Sequence, residues 1–553
     1  MKLQKRQSSR GSLSNRAGRN PLIQYAGLLS YIILLAMRIP LSKVIGDAGI
    51  GLFAPAFEIF FLIALFTSYS MTGAMSGIIR YRVKREQHRN AKQVFHAALF
   101  TNLLVSAVLA ALLVVFSAFV ADILVLESLS RMAVIATAPV LVLAAFIGIF
   151  RGYFNGYGLG MLTAHSQYLE GIAMMACAMF GANALYDYGV KVAALKQNVA
   201  YSYAYGALGA MLGVMLSQVI TMLYLLIIYI IYAGAMRGRL DMDSGKRAEP
   251  KFSAQRTLLA GSFPIALVSV FSNLFMLVDQ RMFNYCMNKK EMGESRTALW
   301  GGYYSKFAVL IGIGSALGVL SIYSMAGRIS NAYDREEYRA MRERLGKTVK
   351  KLCIVVCPIA VYLAALAHAV IACLYTGKND TVVAWVQKGA VLIVLYGFCF
   401  LFGHLLYRMH MLKELFLSTI ISVFAHVLMA YLFVQKAYLG ADGIIYALII
   451  FFALYGGLNF YFLSRNLKYR QDWFSGVIFP AAAAIVSGVA VMLAERFLLE
   501  PVGAVLTIVI GIVAGLFFYI TFLMVLRVIG EAELSKMPLG FFFIMFGKNI
   551  GVL

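Results

Sequence analysis

The chain has 553 residues, 61% of them hydrophobic and only 13% charged, with a formal net charge of +24. So apolar a chain cannot present a wetted surface all round, which excludes a soluble globular protein and leaves a polytopic membrane protein. The positive charge does not read as a nucleic-acid surface, because Lys and Arg gather in alternate loops between apolar runs, as membrane topology requires.

A basic tail, residues 1–21, opens the chain. It is expected to be cytoplasmic, and the apolar run behind it is too long for a signal-peptide core, so it reads as an uncleaved first span. Apolar runs of about 18 residues or more recur about fourteen times, beginning near residues 22, 50, 94, 131, 162, 201, 258, 301, 348, 384, 415, 442, 473 and 503. The fold class is therefore all-α. Basic clusters at 80–92, 237–256, 328–351 and 465–470 fall on the side of the tail, which predicts both termini in the cytoplasm of a cell-membrane protein.

The first two spans, Gln24 to Val44 and Ile50 to Ile79, are joined by the turn Ile45-Gly46-Asp47-Ala48-Gly49, and each carries a charge inside its apolar run. Arg38 lies about six residues before the end of the first helix and Glu58 about eight residues into the second. At 1.5 Å per residue, both sit roughly 9–12 Å from the same membrane face. A charge at such depth costs about 3 kcal/mol, so it needs a partner or a wet cavity. Either a buried structural pair or a cavity-lining role satisfies that need.

Span four ends in Arg151-Gly152-Tyr-Phe-Asn-Gly156-Tyr-Gly158, and span five opens with Thr163-Ala-His-Ser-Gln-Tyr-Leu-Glu170. This Gly-rich elbow follows a membrane helix instead of a strand, so it is not a nucleotide cradle and reads as a gating hinge. In the second half, Asp279 and Arg281 stand near the outer end of span seven and Lys306 a few residues into span eight. Residues two apart point to different helix faces, so Arg281 is expected to face headgroups if Asp279 faces inward. Lys306 either lines a cavity or snorkels. His404, Arg408 and His426 are polar points in spans ten and eleven and are read as structural. The six cysteines have no metal spacing, and the sequence holds no catalytic motif, no metal site and no ATP-hydrolysing loop, so the chain reads as a transporter and not an enzyme.

The hairpin Arg38-Ile-Pro-Leu with Ile45-Gly-Asp-Ala-Gly-Ile-Gly-Leu-Phe and the elbow RGYFNGYG…TAHSQYLE resemble the polysaccharide-export branch of the MOP superfamily, in particular stage V sporulation protein B and MurJ-type lipid II flippases. Phe263-Pro264-Ile265, Asp279, Ile329-Ser-Asn-Ala-Tyr333 and Glu531-Ala-Glu-Leu-Ser-Lys-Met-Pro-Leu-Gly540 extend the resemblance over nearly the whole chain. It departs from the family pattern at Thr72, Leu162 and Gly327, where prolines are common, and at Glu58. The resemblance, with basic stretches after spans two and eight, implies an N-lobe at 22–233, a cytoplasmic linker at 234–257, a C-lobe at 258–463 and two further spans within 464–553. By the same resemblance, spans thirteen and fourteen are expected to form a groove for a lipid tail.

The expected function is translocation of an undecaprenyl-pyrophosphate-linked glycan from inner to outer leaflet by alternating access. Arg38 and Lys306 would hold the pyrophosphate, Glu58 and Asp279 would supply counter-charge, and Arg281 is the remaining cavity candidate, read as an interface anchor. No cofactor is expected; Na⁺ or H⁺ coupling, or the membrane potential, would supply the driving force. Expected partners are the lipid-linked glycan, membrane lipids and envelope-synthesis enzymes, with no nucleic acid. A cation-coupled multidrug exporter of the same superfamily and a non-transporting envelope-synthesis scaffold remain the alternatives.

Overall fold

The computed structural model describes residues 25–241, 243, 250–292, 295–377, 379–536 and 539–549. The basic tail at 1–21 and residues 242 and 244–249 of the 234–257 linker lie outside the described residues. Among those described there is no strand, as a bilayer demands of a chain whose backbone groups must be satisfied within each segment.

Thirteen continuous stretches are long and apolar enough to cross a membrane, and the first of them, Ala26–Lys84, is two spans folded at a single residue. That residue is Gly46, with φ 68° and ψ 173°, a conformation that a side chain would strain. The sequence places a five-residue turn here; helix instead continues to both sides of Gly46, because Gly49 lets the Ile45 side chain pack against its backbone. Spans three to fourteen are His88–Val115, Ser128–Gly156, Gly160–Lys196, Ala200–Gly234, Phe252–Lys289, Ser295–Asp334, Tyr338–Ala365, Val391–Arg408, Leu412–Lys436, Ala441–Leu467, Phe474–Val502 and Ala504–Val525. Span ten is entered through a separate short helix, Asp380–Gly389.

Two compact units divide the chain, one ending at Ser305 and the other beginning at Lys306. The division falls inside span eight, in a wide π-type turn at Tyr303–Phe307. Spans seven and the start of eight thus pack with the first six spans. A second wide turn, Leu65–Tyr69, interrupts span two, and the Asn102 side-chain amide of span three donates to the Thr67 carbonyl within it at 2.9 Å. Such bulges free backbone carbonyls, and a buried amide is what a dry interior needs there.

Small residues bring the helices of the first unit together. Gly148, Gly152 and Gly156 stand four apart on span four, so they share one face. A Cβ on Gly148 would lie 2.6 Å from Ser68 Oγ, one on Gly152 3.1 Å from Met75 Cβ, and one on Gly156 2.5 Å from Ile79 Cβ, all on span two. Thr72 donates its hydroxyl to the Gly148 carbonyl at 2.7 Å. Beside this seam lies an aromatic cluster of Phe95, Phe150, Tyr153 and Tyr229.

The ends of spans two, four, eight and ten carry the same cap. A left-handed residue (Glu86, Gly158, Glu336, His410) is followed by an N–H that bonds five residues back, at 3.0, 2.8, 2.9 and 2.9 Å.

Gly156→Leu is expected to destabilise the protein by about 1–3 kcal/mol through overpacking against Ile79. Gly327→Ala, whose Cβ meets nothing within 4 Å, should be neutral or stabilising by up to about 1 kcal/mol. Denaturant unfolding in detergent micelles distinguishes the two.

Candidate functional site

Arg38 and Glu58 meet, as their equal depth predicts. The Arg38 Nη2 to Glu58 Oε1 distance is 3.5 Å, and the residues are 5% and 7% exposed. A third residue, Tyr304 of span eight, completes the site. Its hydroxyl donates to Glu58 Oε1 at 2.5 Å, its carbonyl accepts from Arg38 Nη1 at 3.4 Å, and its ring lies under the guanidinium at 3.7 Å. Phe57 adds a second ring at 5.6 Å. Arg38 Nε has no hydrogen-bond partner. The guanidinium is therefore held by long bonds and π-faces, with donor capacity left over, an arrangement suited to exchanging partners with an anion.

Asp279 is fully buried in the same unit, while Arg281 is exposed and donates to the Ile123 carbonyl, so the two point apart as their spacing requires. Lys306 opens the second unit. It is 5% exposed, donates from Nζ to Asn379 Oδ1 at 2.7 Å, and lies 5.6 Å from the Tyr375 ring, so it is enclosed and does not snorkel.

The elbow forms a network of its own. Arg151 Nη2 lies 2.7 Å from Glu170 Oε2, its Nε donates to Ser166 Oγ at 2.9 Å, and Gln218 Nε2 donates to Glu170 Oε1 at 2.7 Å. Gly152 and Gly156 face span two, and Gly158 supplies the left-handed cap. His404 stacks on Phe400 at 5.4 Å, Arg408 Nε donates to Ser330 Oγ at 2.9 Å, and His426 is buried against Phe451.

Sequence reasoning missed the seal at the far end of the first unit. Glu127, between spans three and four, accepts from Arg296 Nη2 at 3.1 Å and from Thr297 Oγ1 at 2.8 Å. Asn284 Nδ2 donates to the Val125 carbonyl at 2.8 Å and Gln280 Nε2 to the Gly51 carbonyl at 3.4 Å. A Cβ on Gly51 would lie 2.1 Å from the Thr297 carbonyl oxygen, and one on Gly301 1.7 Å from that of Asp47, so backbone meets backbone there. Among the described residues no group of three or more His, Cys, Asp or Glu is arranged to hold a metal.

A groove of about 500 Å³ runs along the second unit between spans nine and fourteen, lined by Pro358, Leu366, Ile512, Leu516 and other apolar side chains. Its two tyrosines have their hydroxyls tied elsewhere, Tyr362 to Ser487 at 2.9 Å and Tyr519 to the Ile354 carbonyl at 3.0 Å. The surface offered is hydrocarbon. Span thirteen does not line the groove; it backs it, with Gly515 of span fourteen seated on Val491 and Tyr362.

A family profile described as "Polysaccharide biosynthesis protein" matches residues 22–326, more than half of the chain. The chain belongs to this family. Among curated members, stage V sporulation protein B of Bacillus subtilis (strain 168) is 24% identical over 204 residues, which spans 37% of this chain and 37% of that protein. Among solved structures, the lipid II flippase MurJ in an inward closed conformation superposes with a TM-score of 0.63 at 13% identity, covering 91% of this chain and 99% of MurJ. An inward-facing multidrug resistance MATE transporter of the MOP superfamily gives 0.56 at 16% identity, covering 81% and 98%. The fold is that of MOP-superfamily membrane transporters, and the protein is a multi-pass member of the polysaccharide biosynthesis family.

Removing one partner of the Arg38–Glu58 pair strands a buried charge, so Glu58→Leu is expected to cost about 3–5 kcal/mol. Arg38→Met with Glu58→Leu should cost less than that single change. A double-mutant cycle on unfolding free energies checks the sign of the coupling.

Proposed function

We propose that this protein is a flippase that moves an undecaprenyl-pyrophosphate-linked glycan, of the lipid II type, from the inner to the outer leaflet of the cell membrane for envelope polysaccharide or peptidoglycan synthesis. The observation that carries this reading is the apolar groove of about 500 Å³ beside span fourteen. A polyprenyl tail must stay in hydrocarbon while its glycan crosses, and a groove with both tyrosine hydroxyls withdrawn suits it; a drug exporter has no use for one. Superposition on MurJ covers 91% of this chain, against 81% for the MATE transporter, which supports the same choice.

In this reading Arg38 exchanges its long contacts with Glu58 and Tyr304 for the pyrophosphate, whose oxygens accept charge-assisted hydrogen bonds from a guanidinium fork. Glu58 and Asp279 neutralise the cations of the empty site. Lys306 contributes a point charge from span eight, and the exposed Arg281 meets headgroups. Alternating access opens the seal at Glu127, Arg296 and Thr297, and the elbow of Arg151, Gly152, Gly156, Gly158 and Glu170 transmits the motion at the opposite end. Both termini face the cytoplasm, and the driving force is either the membrane potential, which favours outward movement of an anion by about 2.3 kcal/mol per charge per 100 mV, or coupling to Na⁺ or H⁺.

Cells depleted of other flippases and supplied with this protein are expected to regain lipid II accessible at the outer leaflet. Arg38→Lys, which keeps the charge paired with Glu58 but loses the bidentate fork, should lose most of that transport at equal protein abundance. Restored transport of cationic dyes without lipid II would favour the multidrug exporter instead. No transport of either kind would favour the scaffold.

A further inference from the structure

The second unit holds another cavity, unrelated to the groove. It is an aromatic slot of about 130 Å³ between spans nine, ten and twelve, walled by Val349, Phe398, Phe402, Gly457 and Phe460, with Trp473 at its mouth. Cavities near this size accept a single benzene ring, so the slot has the width of one hydrocarbon chain. Its rings form a continuous wall: Phe398 to Phe402 at 5.8 Å, Phe402 to Phe460 at 5.2 Å, and Phe460 to Trp473 at 5.2 Å. Beside Phe460 on the same helix, Gly457 leaves the slot open, because a Cβ there would meet nothing within 4 Å.

Depth and charge identify the occupant. Phe402 is six residues from the end of span ten at Arg408, and Phe460 seven from the end of span twelve at Leu467, so both lie roughly 10 Å from the membrane face that carries the basic loops. The connection from Lys468 to Trp473 roofs the slot at headgroup level and is stapled in place. Arg342 Nη1 donates to the Lys468 carbonyl at 3.5 Å, and the Tyr469 hydroxyl donates to Gln471. The Asp472 carboxylate accepts from the Phe474 and Ser475 amides at 3.2 and 3.3 Å, which engages its charge at the start of span thirteen. Lys468 and Arg470 are exposed and have no ion-pair partner among the described residues. Trp473, 48% exposed, has the amphipathic ring that membrane interfaces select.

We propose that this slot is a binding site for an anionic phospholipid of the inner leaflet, one acyl chain lying along Phe398, Phe402 and Phe460 and the headgroup phosphate against Lys468 and Arg470. The roof carries two exposed cations beside an opening one chain wide, which discriminates by charge where an ordinary lipid-facing crevice does not.

Trp473 is the natural reporter, since the other two tryptophans, Trp300 and Trp385, are 1% and 5% exposed. The full chain is reconstituted in vesicles of phosphatidylcholine with a minor fraction of phosphatidylglycerol, with bromine carried on the chains of one lipid or the other at equal mole fraction. The signal of Trp473→Phe is subtracted. Brominated phosphatidylglycerol is expected to quench Trp473 about 25-fold more effectively than brominated phosphatidylcholine, given roughly fivefold for each of the two cations at the surface. Lys468→Gln with Arg470→Gln should abolish that preference and leave quenching by the two lipids equal. Gly457→Phe, which fills the slot, should reduce quenching by both. Equal quenching by the two lipids in the wild type, or a preference that survives Gly457→Phe, overturns the proposal. Stronger quenching by a brominated polyprenyl phosphate than by phosphatidylglycerol also overturns it, and assigns the slot to the isoprenoid tail.

Discussion

Burying Arg38 and Glu58 in the membrane half of the first unit is the constraint that the surrounding structure answers. Each charge alone would cost several kcal/mol in hydrocarbon. Their contact is a long one, at 3.5 Å, so the pair depends on the additional partners that Tyr304 brings: a hydroxyl for the carboxylate, and a carbonyl and a ring for the guanidinium. Spans one, two and eight therefore come together at a point where none of them is apolar. A pair made of marginal contacts is costly to break outright and cheap to exchange for an equivalent partner, which suits an anion-binding role.

Around that point, helix contact rests on the absence of side chains. Lipid tails are as apolar as leucine, so membrane helices associate through close packing and internal hydrogen bonds instead of water exclusion. Gly148, Gly152 and Gly156 let span four lie on span two, and Gly51 and Gly301 bring backbones together near Thr297 and Asp47. Thr72 of span two bonds across to the Gly148 carbonyl. The matching caps at Glu86 and Glu336, and at Gly158 and His410, fall at the ends of spans six apart and agree with an internal repeat.

Several site features were legible in the residues. Counting from span ends put Arg38 and Glu58 at one depth, and they meet. The two-residue spacing of Asp279 and Arg281 required opposite faces, and one is buried while the other is exposed. Gly148 was readable by the same four-residue rule that links Gly152 to Gly156. Tyr304 was not, because it reaches Glu58 across 246 residues and is one of 32 tyrosines in the chain. Glu127, Gln280 and Asn379 likewise took their roles from partners distant in sequence, and a single polar residue near a span end carries no local sign of its partner.

The sequence by itself determined the class, the fourteen spans and the depth of each charge, because a bilayer imposes a fixed length on every crossing and a fixed penalty on every buried ion. Tertiary structure alone decided which charges pair, where wide turns interrupt spans two and eight, and which apolar faces are left open as groove and slot. Those outcomes depend on the rotation of each helix about its axis and on contacts between segments hundreds of residues apart, and no local pattern encodes either.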